Sequence, residues 1–385
     1  MRTFDPDENE PDVDPDFGGQ PETVAAFREQ LRRDYEGLPI EKVLPGDVVE
    51  NDYGACYRLT AKARGALRRG DAEQARQELL GSVSLVRGIR DKTRTRLEEQ
   101  GFKTLADLEG HPRFCGESKR IRELLEAGST EELAEVIGAR LSKSHPSVLG
   151  LSGLHADADF LFLDLETMGL FAGQPLVVAG LARLGSDNTI IVEQYVVRDF
   201  PDELALLAEV NEQVGTHKVM VTYNGKSFDL PFLTGRSAYY GIALKRPRVH
   251  FDLLHFCRRA WGKQGLSRAA RSYGAPGASD ASAGDTSATR SSRRSVDVSP
   301  PWDCPSFSRG MSPLSSFSLR SIEQSILGIS RETDLPGELV PEFYYEYLRT
   351  GNAGFLKPIV DHNRQDVISL VNVFSSLVQH WANSA

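Results

Sequence analysis

Apolar and polar residues alternate with two different periods along this chain. Residues 71–143 repeat their apolar positions at helical spacing. From Phe160 the period shortens to that of strands, with short apolar runs separated by turn residues. Phe160–Glu166 carries five apolar residues in seven and reads as a buried strand. Pro175–Leu184 and Thr189–Val197 read as two more strands, with Gly185, Asp187 and Asn188 between them as a hairpin turn. A helix is expected from Pro201 to about Gly215, opened by proline and closed by glycine. Lys218–Asn224 reads as another buried strand. Near the C-terminus Val367, Leu370, Val371, Phe374, Leu377, Val378 and Trp381 return to helical spacing. Residues 40–66, with a Pro45-Gly46 turn, are expected to form a small β element ahead of the helices.

Two stretches have no packing period. Residues 1–20 are rich in Asp, Glu and Pro and read as a disordered acidic tail. Residues 265–317 are dominated by Ser, Ala, Gly, Pro and Arg and read as a disordered insertion. The length of 385 residues suits two or three domains. The boundaries drawn are a tail at 1–20, a mainly helical N-terminal region at 40–145, and a larger α/β domain at 157–382 that holds the insertion.

Composition changes the picture little. No apolar run has the length of a membrane span, and no signal peptide is visible, so the expectation is a cytoplasmic protein with no membrane partner. The four cysteines, Cys56, Cys115, Cys257 and Cys304, form no C-x-x-C pair, so neither a zinc site nor a disulfide framework is expected. The net charge of −9 argues against broad nucleic-acid affinity, but much of it sits in the tail. Basic residues gather elsewhere. Arg87, Arg90, Lys92, Arg94 and Arg96 crowd a segment containing Gly88 and Gly101, and Arg246, Arg248, Arg258, Arg259 and Lys263 precede the insertion.

The chemistry is carried by acids. Side chains alternate across a strand, so Asp164 and Glu166 project from one face. Two adjacent carboxylates at the end of a buried strand are costly to desolvate, and a hard divalent cation removes that cost. A lone Asp-x-Glu is more often a polar strand end. Asp229 follows Asn224-Gly-Lys-Ser-Phe, with Ser227 as the expected N-cap, which sets Asp229 in a first helical turn. His362 and Asp366 are four apart on the C-terminal helix and share a face. Imidazole titrates near neutrality and suits proton transfer from water.

Asp164-x-Glu166, Asn224-x-x-x-Phe228-Asp229 and His362-x-x-x-Asp366 resemble the three motifs of the DEDD 3′–5′ exonuclease superfamily. Phe251–Arg259, Ser321-Ile-Glu323, Gly328–Arg331, Leu335-Pro-Gly337, Pro341–Tyr345, Tyr347–Gly351 and His362–Leu370 are similar to the YprB-like ribonuclease-H-like domain family. That resemblance covers about residues 157–380, the insertion excepted. It implies a mixed five-stranded sheet flanked by helices and a phosphodiesterase site with two Mg²⁺ or Mn²⁺ ions. Asp164 would bridge both ions, Glu166 and Asp366 would hold the water-activating one, Asp229 would support the other, and His362 would be the general base. Three residues separate His362 from Asp366, the spacing of the superfamily's tyrosine-type members, whereas its histidine-type members usually have four.

The segment from about residue 85 to 128 resembles a helix-hairpin-helix unit, with Arg90 in place of the second hairpin glycine. Contact with DNA or RNA is assigned to Asn224 and Lys226 beside the second motif, Arg258 and Arg259, and Arg90 and Lys92 of the hairpin. Asp252 is expected to be structural or to support the site. Two alternatives stand beside the exonuclease: a ribonuclease-H-like module that binds nucleic acid without cutting, and an endonuclease acting in a repair or processing assembly.

Overall fold

The structure, a computed structural model, describes residues 21–127, 133, 136–138, 140–186, 188–262, 314, 316–331 and 334–383. The expected acidic tail, Asp187 of the expected hairpin turn, and most of the expected insertion lie outside these residues.

Seven strands build one mixed sheet: β1 (Asp47–Asn51), β2 (Gly54–Arg64), β3 (Phe160–Thr167), β4 (Leu176–Leu184), β5 (Thr189–Val196), β6 (Val219–Thr222) and β7 (Val249–Asp252). Their spatial order is β1-β2-β5-β4-β3-β6-β7. β3 lies inside the sheet, antiparallel to β4 and parallel to β6. It is covered on both faces, which is why its sequence is a continuous apolar run rather than an alternation.

The expected count of five strands is corrected to seven. Residues 47–64 are not a small element ahead of the helices but a hairpin of the main sheet. β2 pairs with β5 from Tyr57↔Val196 to Arg64↔Thr189. Cys56 and Tyr57 are fully buried, and the Tyr57 hydroxyl donates to the Leu44 carbonyl at 2.8 Å. The segment thus covers an edge that β5 would otherwise expose.

Helices flank the sheet or pack beside it. Among the described residues they include α1 (Pro21–Asp34), α2 (Ala72–Leu80), α3 (Asp91–Glu99), α4 (Leu105–Leu108), α5 (Cys115–Ala127), α6 (Asp202–Thr216), α7 (Asp229–Tyr239), α8 (Leu253–Trp261), α9 (Leu319–Ile322), α10 (Val340–Thr350) and α11 (Leu356–Ala382). One core packs Leu161, Leu163 and Leu165 of β3 with residues of α6, α7 and α10. A second packs Phe160 and Phe162 with residues of α8 and α11, including Phe256 and Phe374. Both cores meet α11, whose Val360 faces the first and whose Val367, Leu370 and Val371 face the second.

α2 to α5 enclose a third apolar cluster around Leu79, Leu85, Leu97, Leu105 and Leu125. α3 ends at a Schellman turn. Gly101 has φ +92°, and the Phe102 N–H donates to the Leu97 carbonyl at 2.9 Å. Thr104 opens α4 with a reciprocal capping box to Asp107. The short helix, glycine cap and second helix near Thr104 therefore follow the sequence pattern. Arg87, Arg90, Lys92, Arg94 and Arg96 are all exposed there. Leu314 and Phe317, placed by sequence in the insertion, instead pack against the second core.

Candidate metal centre

The C-terminal end of β3 brings Asp164 and Glu166 beside α11. Asp164 is held from behind. The Asn363 side-chain amide donates to the Asp164 carbonyl at 3.1 Å and to its Oδ2 at 2.9 Å. Gln194 of β5 donates in turn to the Asn363 Oδ1 at 2.9 Å and to the Val360 carbonyl at 2.8 Å. Gly180 of β4 pairs with Asp164, and a Cβ there would overlap the Asn363 amide. This glycine is what lets α11 lay a polar side chain on the sheet.

Asp229 arrives on the loop after β6. Asn224 takes φ +60°, a left-handed conformation that asparagine tolerates. The N–H groups of Asn224 and Lys226 donate to the Asp252 carboxylate at 2.9 and 3.0 Å. Asp252 thus shapes the loop and caps α8 through the Leu254 N–H. The expected cap at Ser227 is not formed. Phe228 occupies the N-cap position without a side-chain bond, and the Ser227 and Phe228 N–H groups donate to the Asn224 carbonyl. The turn's own backbone closes the loop, so the serine hydroxyl is not needed. Asp229 does lie in the first turn of α7, buried, with the Leu165 backbone of β3 among the groups that favour its charged form.

His362 and Asp366 project from α11 one turn apart. The His362 Nε2 lies 3.9 Å from the Glu166 Oε1 and 3.5 Å from the Asp366 Oδ2. One ligand atom from each of Glu166, His362 and Asp366 lies within 4.8 Å of the others. Behind them is a network that the sequence reading did not assign. The His362 Nδ1 lies 2.6 Å from the Asp334 Oδ1. The Arg331 guanidinium pairs with Asp366, with Asp334 at 3.1 Å and with Glu323 at 2.7 Å. All of these side chains are buried or nearly so. Glu323 and Arg331 fall in segments that resemble the family, but nothing local marks Asp334 or Asn363 as partners. Their roles arise from contacts across 28 and 199 residues of chain.

By themselves these buried acids repel one another. Burial, then the charges of Asp366, Glu166 and Asp229, hold the Asp164 carboxyl well above the usual range. Burial pushes Glu166 up to about 8, although His362 opposes it. Burial likewise pushes Asp229 up to about 7 against the pull of its backbone hydrogen bonds. For His362 burial disfavours the charged ring, yet Asp366, the Asp334 hydrogen bond and Glu166 outweigh it and raise it to about 10. Burial would raise Asp334, but the bond to His362 and the charges of His362 and Arg331 hold it low. An ionised Asp334 accepts from Nδ1–H and leaves the His362 Nε2 facing the acids.

Clustered carboxylates forced toward protonation, with their oxygens turned to one point, are the donor set a hard divalent cation needs. The residues present fit such an ion, with Glu166, His362 and Asp366 as one candidate coordinating group. Asp164 and Asp229 are coupled to Asp366 through space but stand outside that closest group.

The other assigned residues are spread more widely. Arg258 on α8 is exposed, Arg259 half-buried, Asn224 exposed and Lys226 half-buried. Arg90 and Lys92 sit on the surface at the start of α3.

The strand order, the acids at the end of β3 and the helix that crosses them define a protein of the ribonuclease H type, and comparison with known families agrees. The family described as RNase_H superfamily matches residues 161–292 and 287–378, together more than half of the chain, and the chain belongs to it. The chain is also 28% identical over 250 residues to the uncharacterized protein YprB of Bacillus subtilis (strain 168), which covers 64% of this chain and 48% of that protein. The chain therefore spans about half the length of this curated relative. The fold and the candidate coordinating cluster support a nuclease-type, hydrolytic function. Among the described residues no helix is long and apolar enough to cross a membrane.

Proposed function

We propose that the protein is a metal-dependent nuclease, a 3′–5′ exonuclease that hydrolyses phosphodiester bonds of DNA or RNA with two Mg²⁺ or Mn²⁺ ions. The observation that carries this is the meeting of Glu166, His362 and Asp366 within 4.8 Å at the end of a ribonuclease-H-type strand. Asp164 and Asp229, outside that closest group, are the carboxylates that a second ion would use.

Such ions, when bound, would supply water activation and stabilisation of the leaving oxygen. Glu166 and Asp366 would hold the water-activating ion, Asp229 would hold the other, and Asp164, oriented by Asn363, would serve both. We assign His362 as the base rather than as a ligand, its Nδ1 proton fixed on Asp334 and its Nε2 directed toward Glu166 and Asp366. A ring held charged up to about 10 cannot accept a proton at neutral pH. Ions that neutralise Glu166 and Asp366 would weaken the pull that keeps it charged, the Asp334 bond remaining, so His362 would act as a base only in the loaded site.

The test is a panel of 3′- and 5′-labelled DNA and RNA strands with Mg²⁺ or Mn²⁺. Mononucleotide release from the 3′ end is expected, with at least a ~100-fold rate loss in Asp164→Asn. No cleavage of any strand by the wild type would end the proposal. The Arg331 pair with Asp366 favours one other reading, a binding module whose metal position is held by a guanidinium. In that case strands bind but are not cut.

A further inference from the structure

Away from the acids, a cavity of about 350 Å³ lies between residues 133–155 and the edge strand β7. Its apolar lining includes Val148, Leu151, Leu154 and Phe251. Lys143, Lys226 and Arg248 line it, and among the described residues no Asp or Glu does. Burial lowers Lys226, Asp252 opposes it, and the nearby charge of Lys143 adds a smaller push in the same direction as burial. The carboxylate of Asp252 is already shared among three backbone N–H groups. His250 lines the same cavity and is bonded to the Thr222 hydroxyl at 2.8 Å. Burial and Lys226 push it down to about 3, so it adds no charge. The cavity is therefore an apolar slot with Lys143 and Lys226 among its lining.

Its position matters as much as its lining. Lys226 belongs to the Asn224–Asp229 loop, which delivers Asp229 to the metal centre. The cavity and the acids are thus joined by one short loop braced on Asp252. The volume is at the lower end of the roughly 300–1,000 Å³ typical of ligand pockets, enough for one planar heterocycle with its phosphate and too small for a duplex.

We propose that this cavity is a nucleic-acid subsite that takes one unpaired nucleotide of a strand, its base on the apolar lining and its phosphate at Lys143 and Lys226. The proposal rests on the nuclease reading, because it assumes that the substrate is a polynucleotide. Stacking and apolar contact tolerate any base, so the site gives strand-state preference rather than sequence preference.

The test uses the full chain in the Asp164→Asn background, where strands are not consumed. Binding of fluorescein-labelled single-stranded DNA and RNA, and of a blunt duplex, is measured by anisotropy at several salt concentrations. Lys143→Glu is exposed and is not a core change, and its melting temperature serves as the folding control. Leu154→Trp, which fills the slot without altering charge, is the second variant. Lys143→Glu should raise the single-strand Kd several-fold and reduce the salt slope by about 0.7, the value for one lost phosphate contact. Leu154→Trp should raise the Kd with no change of slope, and duplex binding should respond to neither. Unchanged single-strand Kd and slope in both folded variants would overturn the subsite. Strand binding that depends on these residues, without cleavage by the wild type, would keep the subsite and remove the nuclease. No binding of any strand would remove both.

Discussion

Single residues at the metal centre are tuned by neighbours that never reach it. Gly180 is the clearest case. Any side chain there displaces Asn363, which orients Asp164 and is itself oriented by Gln194. Gly180→Ala should cost about 1–3 kcal/mol through overpacking. It should also weaken divalent-ion affinity roughly 10–100-fold, the usual effect of losing a ligand's supporting bond. Titration calorimetry with Mn²⁺ reads the second effect, and an affinity equal to wild type would show that Asn363 does not set Asp164. The titrating groups make a further prediction. Glu166 and Asp229 are raised to about 8 and about 7, so the fold favours their neutral forms. That stability is complete below their ordinary carboxylate values and is lost as pH rises through about 7 and 8. His362 acts in the same direction, since its ion pairs stabilise the fold below 6.5 and fail as pH rises through about 10. The metal-free protein should therefore melt at steadily lower temperature from about pH 6 to about pH 9, and added Mn²⁺ should flatten the slope. A melting temperature in chelator that is level with pH would contradict this.

At the scale of elements, one buried ion pair joins two helices to the sheet. Glu203 of α6 accepts from the Leu176 N–H of β4 at 2.9 Å and from the Tyr240 hydroxyl at 2.8 Å, and it pairs with Arg236 of α7. Glu203 is 1% exposed and Arg236 is 5% exposed. Removing the arginine strands a buried carboxylate, so Arg236→Ala should cost about 3–5 kcal/mol in urea unfolding. A loss below about 1 kcal/mol would mean that water reaches Glu203. Elements like these also set what the sequence could disclose. β3, β4, β5 and α11 were legible because each carries its own period and ends at turn residues. Asp164, Glu166, Asp229 and Asp366 were legible because each stands in a motif only a few residues long. A β element was expected within residues 40–66, but nothing in residues 54–64 says that their partner lies at 189–196. Asp334, Arg331 and Asn363 were not assigned for the same reason, since their partners are set by tertiary folding rather than by local spacing.

The whole molecule is organised by where the chain leaves the sheet and where it returns. After β2 it reaches Gly70, whose N–H donates to the Ser152 Oγ at 2.8 Å. A Cβ at Gly153 would overlap the Gly70 carbonyl, so the two passing segments lie in direct contact. Everything from Asp71 to Leu151 is therefore an excursion that begins and ends at one place, and α2 to α5 within it enclose an apolar cluster of their own. Cutting the chain at 157, as the sequence boundaries suggest, would discard β1 and β2 together with that excursion. The fragment would expose the β5 edge and lose Cys56, Tyr57 and Leu59 from the first core. It should be insoluble or should melt without cooperativity. Joining Gly70 to Ser152 through a short Gly-Ser linker should instead keep the sheet, the metal centre and a cooperative melt. The cost is confined to residues such as Val148 and Leu149, which pack against the second core. The same deletion removes Lys143 and the basic surface of α3, so strand affinity and its salt dependence should both fall while Mn²⁺ binding stays near wild type. Circular dichroism melting of the two proteins, followed by calorimetry with Mn²⁺, separates the cases. A cooperative fragment beginning at 157, or an excised protein that no longer folds, would show that the sheet's integrity is not divided in this way.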